Sequence, residues 1–131
     1  MAKDLTESLH DRQNILNNRY ALQKAEQHLA LGGVQFDGET VFTKQQVMEL
    51  FEISERTIER YLSSHADELK NNGYQILRGL KLREFKTLSY GTDIDDGTKT
   101  SVLGVFSFRA ILNLGMLLTD SERAKELRSR V

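Results

Sequence analysis

The segment from Thr43 to His65 constrains the fold more than any other part of the chain, because it reads as two short helices joined by a tight turn. Thr43 predicts the start of the first helix, since a threonine hydroxyl can accept a hydrogen bond from a free N–H of the first turn. Val47, Leu50 and Phe51 then recur at spacings of three and four, which gives this helix one apolar face.

The second helix of this segment is predicted to begin after Ser54, following a turn at Glu52 and Ile53. Ile58 and Leu62 lie four residues apart and form its predicted inner face. Such a pair, with the polar N-terminal residues of the second helix exposed, is how a helix-turn-helix meets the major groove of DNA. The alternative is a pair of amphipathic helices in an ordinary small α domain. The side chains expected to point outward are Glu55, Arg56, Thr57, Glu59, Arg60 and Ser63.

The N-terminal part of the chain is predicted to be one helix over residues 5–31. Ile15, Leu22 and Leu29 repeat every seven residues and form an apolar stripe. This stripe could pack on the same chain or pair two copies, so both a packing helix and a dimer arm remain open. We therefore divide the chain into an N-terminal helix (residues 1–33) and a domain (residues 34–131).

A small β component is predicted within that domain. Asp37-Gly38 separates two β-like runs and is typical of a hairpin turn. Residues 74–77 and 102–106 are predicted strands that pair with each other. Between them, the three-residue spacing of Leu82, Phe85 and Leu88 predicts a short helix, followed by a polar, glycine-punctuated loop over residues 90–100.

The C-terminal part is predicted to be helical. Ser107 should cap a helix that is apolar nearly all round and therefore buried. Thr119 and Glu122 are expected to form a capping box for a last helix. Because that helix reads as continuing at Val131, we expect the natural protein to extend beyond it. The predicted fold class is mainly α with a small β component, in a winged helix-turn-helix-like arrangement.

Composition and motifs exclude several classes of function. The chain has no cysteine, which excludes disulfides and thiolate metal sites. No segment approaches the ~18 apolar residues of a membrane span, and no signal peptide is visible, so we expect a cytoplasmic protein. The acids around Asp93 lack the glycine and the bidentate acid of a calcium loop. Since no phosphate loop or nucleophile elbow occurs either, we expect no enzyme activity, no metal and no cofactor.

The distribution of charge bears on a nucleic-acid partner. The net charge is −1, but residues 1–40 and 41–72 each carry −2, whereas residues 73–131 carry +3. The predicted DNA-binding helix pair is therefore acidic, and phosphate-binding cations should come largely from beyond Gly73.

The predicted contacts with double-stranded DNA fall into three groups. Arg56, Thr57 and Arg60 are expected to touch base edges, with Glu55 on the same face. The start of the first helix is expected to position the DNA backbone, and a more C-terminal basic set should meet phosphates. The positioning set is Lys44, Gln45 and Gln46, and the phosphate set is Lys81, Arg83, Lys86 and Lys99.

Four stretches carry a family resemblance over roughly residues 43–131. They are Thr57–Leu62 (TIERYL), Asn72–Gly79 (NGYQILRG), Leu82–Lys86 (LREFK), and Leu103–Phe106 together with Ala110–Arg128. With them the chain resembles the RhuM-like virulence-associated proteins and related phage regulators of the antirepressor type. The resemblance implies an N-terminal DNA-binding module attached to a variable C-terminal part, and no known enzymatic activity.

Two functions follow as expectations. The first is a sequence-specific DNA-binding module of a transcriptional regulator carried by a prophage or another mobile element, with a homodimer as a possible assembly. The alternative is a protein-interaction or oligomerisation module whose acidic helix-turn-helix surface faces a partner protein.

Overall fold

The computed structural model describes residues 4–29, 33–36, 38–90 and 102–129, with side chains included except at residues 27–29, 89 and 90. The described chain is mainly helical and has a four-stranded antiparallel sheet in the order β1-β2-β4-β3. The helices are α1 (Leu9–Leu16), α2 (Arg19–Leu29), α3 (Lys44–Phe51), α4 (Glu55–Ser64), α5 (Ala66–Asn71), α6 (Gly79–Tyr90), α7 (Phe108–Leu117) and α8 (Glu122–Ser129). The strands are β1 (Val34–Phe36), β2 (Glu39–Thr43), β3 (Tyr74–Arg78) and β4 (Val102–Ser107).

The two helices predicted from Thr43 onward are confirmed as α3 and α4, together with both caps. The Thr43 hydroxyl accepts from the backbone N–H of Gln46, and the Gln46 side chain accepts from the backbone N–H of Thr43, which completes a capping box. The Ser54 hydroxyl accepts from the backbone N–H of Thr57 at the start of α4. A turn of only three residues, 52–54, therefore separates α3 from α4.

The buried side of α4 differs in part from the prediction. Ile58 is fully buried as expected, but the second buried residue is Tyr61, and Leu62 is only half-buried against the core. The Tyr61 hydroxyl lies 3.2 Å from both the hydroxyl oxygen and the backbone N–H of Thr119. This polar anchor lets a tyrosine occupy the inner face, which apolar periodicity could not indicate.

A short break separates α4 from the next helix. His65 adopts a non-helical backbone conformation and separates α4 from α5. Leu69 on α5 is fully buried, so the apolar side of α4 continues beyond the break.

The prediction of one N-terminal helix over residues 5–31 is wrong, because the chain forms α1 and α2 instead. Asn17 ends α1, and the Asn18 side chain accepts from the backbone N–H of Ala21 in the first turn of α2. Asparagine side chains that bond to nearby backbone compete with a continuous helix. Both helices pack on α7, with Leu16 and Ala25 buried in the core. The Leu29 side chain of the predicted stripe lies outside the described residues.

The predicted strands are confirmed, and the sheet has an apolar cluster on each face. β1 and β2 form the hairpin, although Asp37 lies outside the described residues, and β3 pairs with β4. One face carries Phe42 and Phe106 against α3, α4 and α7, whereas the other carries Val41 and Val105 against α6. Since neighbouring residues of a strand point to opposite faces, the sheet separates α6 from α4.

The C-terminal helices also follow the sequence pattern, with one correction. Ser107 caps α7, and residues 110–117 of that helix are all buried, as predicted. The capping box of Thr119 and Glu122 is wrong, because Ser121 caps α8 by accepting from the backbone N–H of Ala124. The Ser121 hydroxyl also donates to the backbone carbonyl of Phe51, which ties α8 to α3.

A buried polar network joins the N-terminal helix α1 to α5 and α7. Arg12 makes two 2.7 Å hydrogen bonds to the carboxylate of Glu68, and Asn113 donates to the same carboxylate at 2.6 Å. The Asn72 amide donates to Asn113 at 2.9 Å and accepts from Arg109 at 2.8 Å. The network therefore fixes three helices with directional bonds in a largely apolar interior.

Because of Glu68, the free energy of unfolding should decrease at acid pH. Burial raises the pKa of Glu68, but hydrogen bonds from Arg12 and Asn113 outweigh this effect, and the pKa lies below its ordinary value of 4.5. The stabilisation is therefore fully present above pH 4.5 and is lost as the pH falls through the lower pKa of the folded state. Replacing Glu68 by glutamine should cost about 3–5 kcal/mol at pH 7, because Arg12 loses its buried counter-ion.

This prediction is checked by urea unfolding of the wild-type protein and Glu68→Gln between pH 7 and pH 3. The difference between their unfolding free energies should shrink below pH 4.5, and Glu84→Gln, at an exposed residue of α6, serves as the control. A difference that stays constant over the whole pH range would contradict the assigned role of Glu68.

Candidate nucleic-acid interface

Lys44, at the first position of α3, is held by two acids of α4. Its ammonium group lies 3.4 Å from the Glu55 carboxylate and makes a hydrogen-bonded ion pair with Glu59. Burial lowers the pKa of Lys44, but the hydrogen bonds and charges of Glu59 and Glu55 outweigh it, so the pKa is raised. The cation predicted to position the DNA backbone is thus already neutralised within the protein.

The two glutamines predicted to act beside Lys44 have structural partners. Gln46 completes the capping box of α3 through its side-chain oxygen. Gln45 is exposed and donates to Glu49 one turn later at 3.2 Å. Of the two, Gln45 presents its side chain to solvent without serving the start of the helix.

The outward face of α4 is polar and exposes most of the predicted contact residues. Glu55, Arg56 and Arg60 are exposed, and Thr57 is half-buried with its hydroxyl accepting from Ser54 at 3.0 Å. Arg56 has no hydrogen bond or ion pair within the described part of the chain. Its guanidinium group is therefore available to a ligand without breaking an internal contact.

Arg60, in contrast, is engaged by the segment between α7 and α8. One of its guanidinium nitrogens lies 2.9 Å from the carboxylate of Asp120, and the group lies over the Tyr61 ring at 5.4 Å. The two acids near Arg60 on its own helix, Glu55 and Glu59, bind Lys44 instead. Asp120 is 60 residues away in the chain, so no local pattern could have identified it.

Another ion pair joins α8 to the turn between α3 and α4. Arg123 contacts the carboxylate of Glu52 at 3.4 Å, and both side chains are largely exposed. With Lys44 and Arg60 also paired, the exposed surface of α3 and α4 carries matched charges, and Arg56 is its exposed cation without a described partner.

The first residue of β3 lies beside this surface. Burial raises the pKa of the Tyr74 hydroxyl, the charge of Lys44 lowers it, and the charge of Glu59 raises it further. Tyr74 is thus close to Lys44 and Glu59, whose ion pair links α3 to α4. Sequence reasoning assigned Tyr74 only to a strand, because nothing in the local pattern relates it to α4.

The basic residues predicted to meet phosphates are separated from α4. Lys81 and Arg83 are exposed and Lys86 is half-buried, all on α6, which covers the opposite face of the sheet. These three residues and α4 therefore lie on opposite sides of the sheet, and their phosphate contacts stay a prediction. Lys99 and the predicted loop over residues 90–100 lie outside the described residues, apart from the backbone of Tyr90, which ends α6.

Comparisons of the chain with protein-family models, with curated proteins and with solved structures give no match. Within the described ranges, no helix combines the length and the apolar character that crossing a membrane requires.

The backbone strain at Glu52, in the turn between α3 and α4, predicts how substitutions there change the stability of the protein. Glu52 has φ 55° and ψ 48°, the left-handed conformation, which costs a residue with a side chain about 1–2 kcal/mol. Glu52→Gly relieves this strain, whereas Glu52→Ala loses the same ion pair with Arg123 and keeps the strain. We expect the glycine variant to be more stable than the alanine variant by about 1 kcal/mol, measured by thermal and urea unfolding. Equal stabilities would show that the turn is not strained.

Proposed function

We propose that the protein is a sequence-specific DNA-binding module that inserts α4 into the major groove, as expected for a transcriptional regulator of a mobile element. The observation that carries this proposal is the exposure of α4. This helix buries Ile58 and Tyr61 and turns a polar face outward, which includes Arg56, a residue with no partner in the described ranges.

The dimensions of the helix pair are compatible with this role. α4 has 10 residues, which corresponds to a length of about 15 Å. The major groove is about 12 Å wide and admits one α-helix. The three-residue turn before α4 matches the short connection of a helix-turn-helix.

The order of the elements supports a winged variety of this fold. β2 precedes the helix pair, β3 and β4 follow it, and the three strands lie in the order β2-β4-β3. A small antiparallel sheet of this connectivity beside the helix pair is typical of winged helix-turn-helix domains. Two elements are additional to the winged helix-turn-helix arrangement. β1 extends the sheet, and α6 covers the sheet face opposite α4.

The matched charges of this surface determine how the protein would bind. Non-specific affinity comes from lysines and arginines that neutralise phosphates, and here most of the nearby cations already have carboxylate partners. We therefore expect weak binding to random DNA, with discrimination supplied by base contacts of Arg56. The pair between Arg60 and Asp120 would have to open before Arg60 could contribute.

The test begins with the selection of a preferred site from a pool of random-sequence duplexes at low salt. Arg56→Ala should reduce the preference for the selected site over random duplex about 5- to 150-fold, which corresponds to 1–3 kcal/mol. Fluorescence anisotropy with both duplexes at one stated salt concentration measures this ratio. Arg83→Ala removes the same side chain from α6, on the opposite face of the sheet, and should leave the ratio unchanged.

Asp120→Asn tests whether Arg60 contributes to DNA binding once its ion pair is removed. Removing this carboxylate frees Arg60 and should tighten binding to both duplexes, whereas Asp67→Asn removes an equal charge from α5 as the control. If no duplex is selected from the pool, or if Arg56→Ala leaves both affinities unchanged in a folded protein, α4 does not read DNA.

A protein-interaction module is the alternative, and a specific observation favours it. Lys44, Arg60 and Arg123 are each balanced by carboxylates, which leaves a nearly neutral polar surface. Such a surface resembles the rim of a protein–protein interface more than a phosphate-binding site. Failure of the selection experiment would leave this alternative as the better account.

A further inference from the structure

The strand β3 lies at one edge of the sheet, and its outward backbone groups have no partner among the described residues. The Ser107 N–H donates to the Gly73 carbonyl at 3.2 Å, which sets the alternation of the β3–β4 ladder. Gln75 and Leu77 then bond to β4, while Tyr74, Ile76 and Arg78 direct their N–H and C=O groups away from the sheet. Nothing in the described part of the chain bonds to these outward groups.

The composition of this edge gives it little protection. Natural edge strands are commonly blunted by proline, charged side chains, a bulge or a covering element. β3 is a regular five-residue strand without proline, its charged residue Arg78 lies at the end, and Ile76 at its centre is 40% exposed. The opposite edge, β1, has three residues and packs against α6.

We propose that β3 pairs with β3 of a second copy of this chain, antiparallel, around a two-fold axis at Ile76. In this register Ile76 lies opposite the partner's Ile76, and Tyr74 lies opposite the partner's Arg78. Each of these pairs exchanges two backbone hydrogen bonds. The side-chain pairs are isoleucine with isoleucine and an aromatic ring with a guanidinium group, both favourable across strands.

A second copy fits this edge because the strand complements itself. The sequence Tyr74-Gln75-Ile76-Leu77-Arg78 places its apolar residue at the centre and its two complementary side chains at equal distances on either side. Self-pairing of one edge is isologous and closes as a dimer, whereas pairing of β3 with β1 of another copy would be heterologous and open-ended. The two-fold axis is perpendicular to the joined sheet, so both copies keep their α4 helices on the same side. The dimer itself does not depend on DNA binding.

Cysteine cross-linking tests the register directly, because the natural chain has no cysteine. Hydrogen-bonded residues across antiparallel strands have Cα atoms about 5.5 Å apart, within the range of a disulfide. Oxidised Ile76→Cys should therefore run as a covalent dimer on a non-reducing gel. Leu9→Cys, at another exposed apolar residue on α1, should remain largely monomeric. Equal cross-linking of the two variants would overturn the proposal.

Sedimentation equilibrium without DNA provides the second test. Ile76→Pro removes only an outward N–H and leaves the bonds to β4 in place, since proline is tolerated on the open side of an edge strand. The wild-type protein should sediment as a dimer and Ile76→Pro as a monomer with an unchanged circular dichroism spectrum. A monomeric wild type, or a dimer that survives the proline with its fold intact, would overturn the proposal. A proline variant that does not fold leaves the decision to the cross-linking test.

Discussion

The ion pair between Arg12 and Glu68 is the contact on which the arrangement of the helices depends. Two charged groups are almost removed from water here, and they are tolerated because Arg12 also donates to the Leu5 carbonyl and Glu68 also accepts from Asn113. Glu68 also binds Asn113 of α7, and Asn72 continues the network to Arg109. Because α5 follows α4 after a single residue, this network also fixes the C-terminal end of α4.

Internal ion pairs hold several of the charged side chains of α3 and α4. Lys44 is bound by acids of α4, and Arg60 is bound by Asp120 from the segment that precedes α8. These pairs are partly exposed, so they contribute little to stability. They would instead weaken the binding of phosphates, because a phosphate must compete with a carboxylate that already contacts the lysine or arginine. Such a surface favours partners that supply directional contacts over partners that supply charge alone.

Local signals in the sequence predicted most of the helix caps and the strands, whereas the errors have both local and long-range causes. Thr43, Ser54 and Ser107 were correctly identified as helix caps because the donors that a cap satisfies lie within three residues. The break at Asn17 and Asn18 was missed because the same side chains are compatible with an exposed helix surface. Asp120 as the partner of Arg60 and the position of α6 behind the sheet depend on tertiary packing, which periodicity does not encode.

The most direct test of α4 as the reading element is a titration of the isotope-labelled protein with a selected duplex, followed by backbone amide chemical shifts at low salt. The account predicts that the largest shifts fall in α4 around Arg56 and in the first turn of α3, with α6 unaffected. Shifts centred on α6, or no shifts at a duplex concentration well above that of the protein, would contradict the assignment of α4 as the DNA-binding helix.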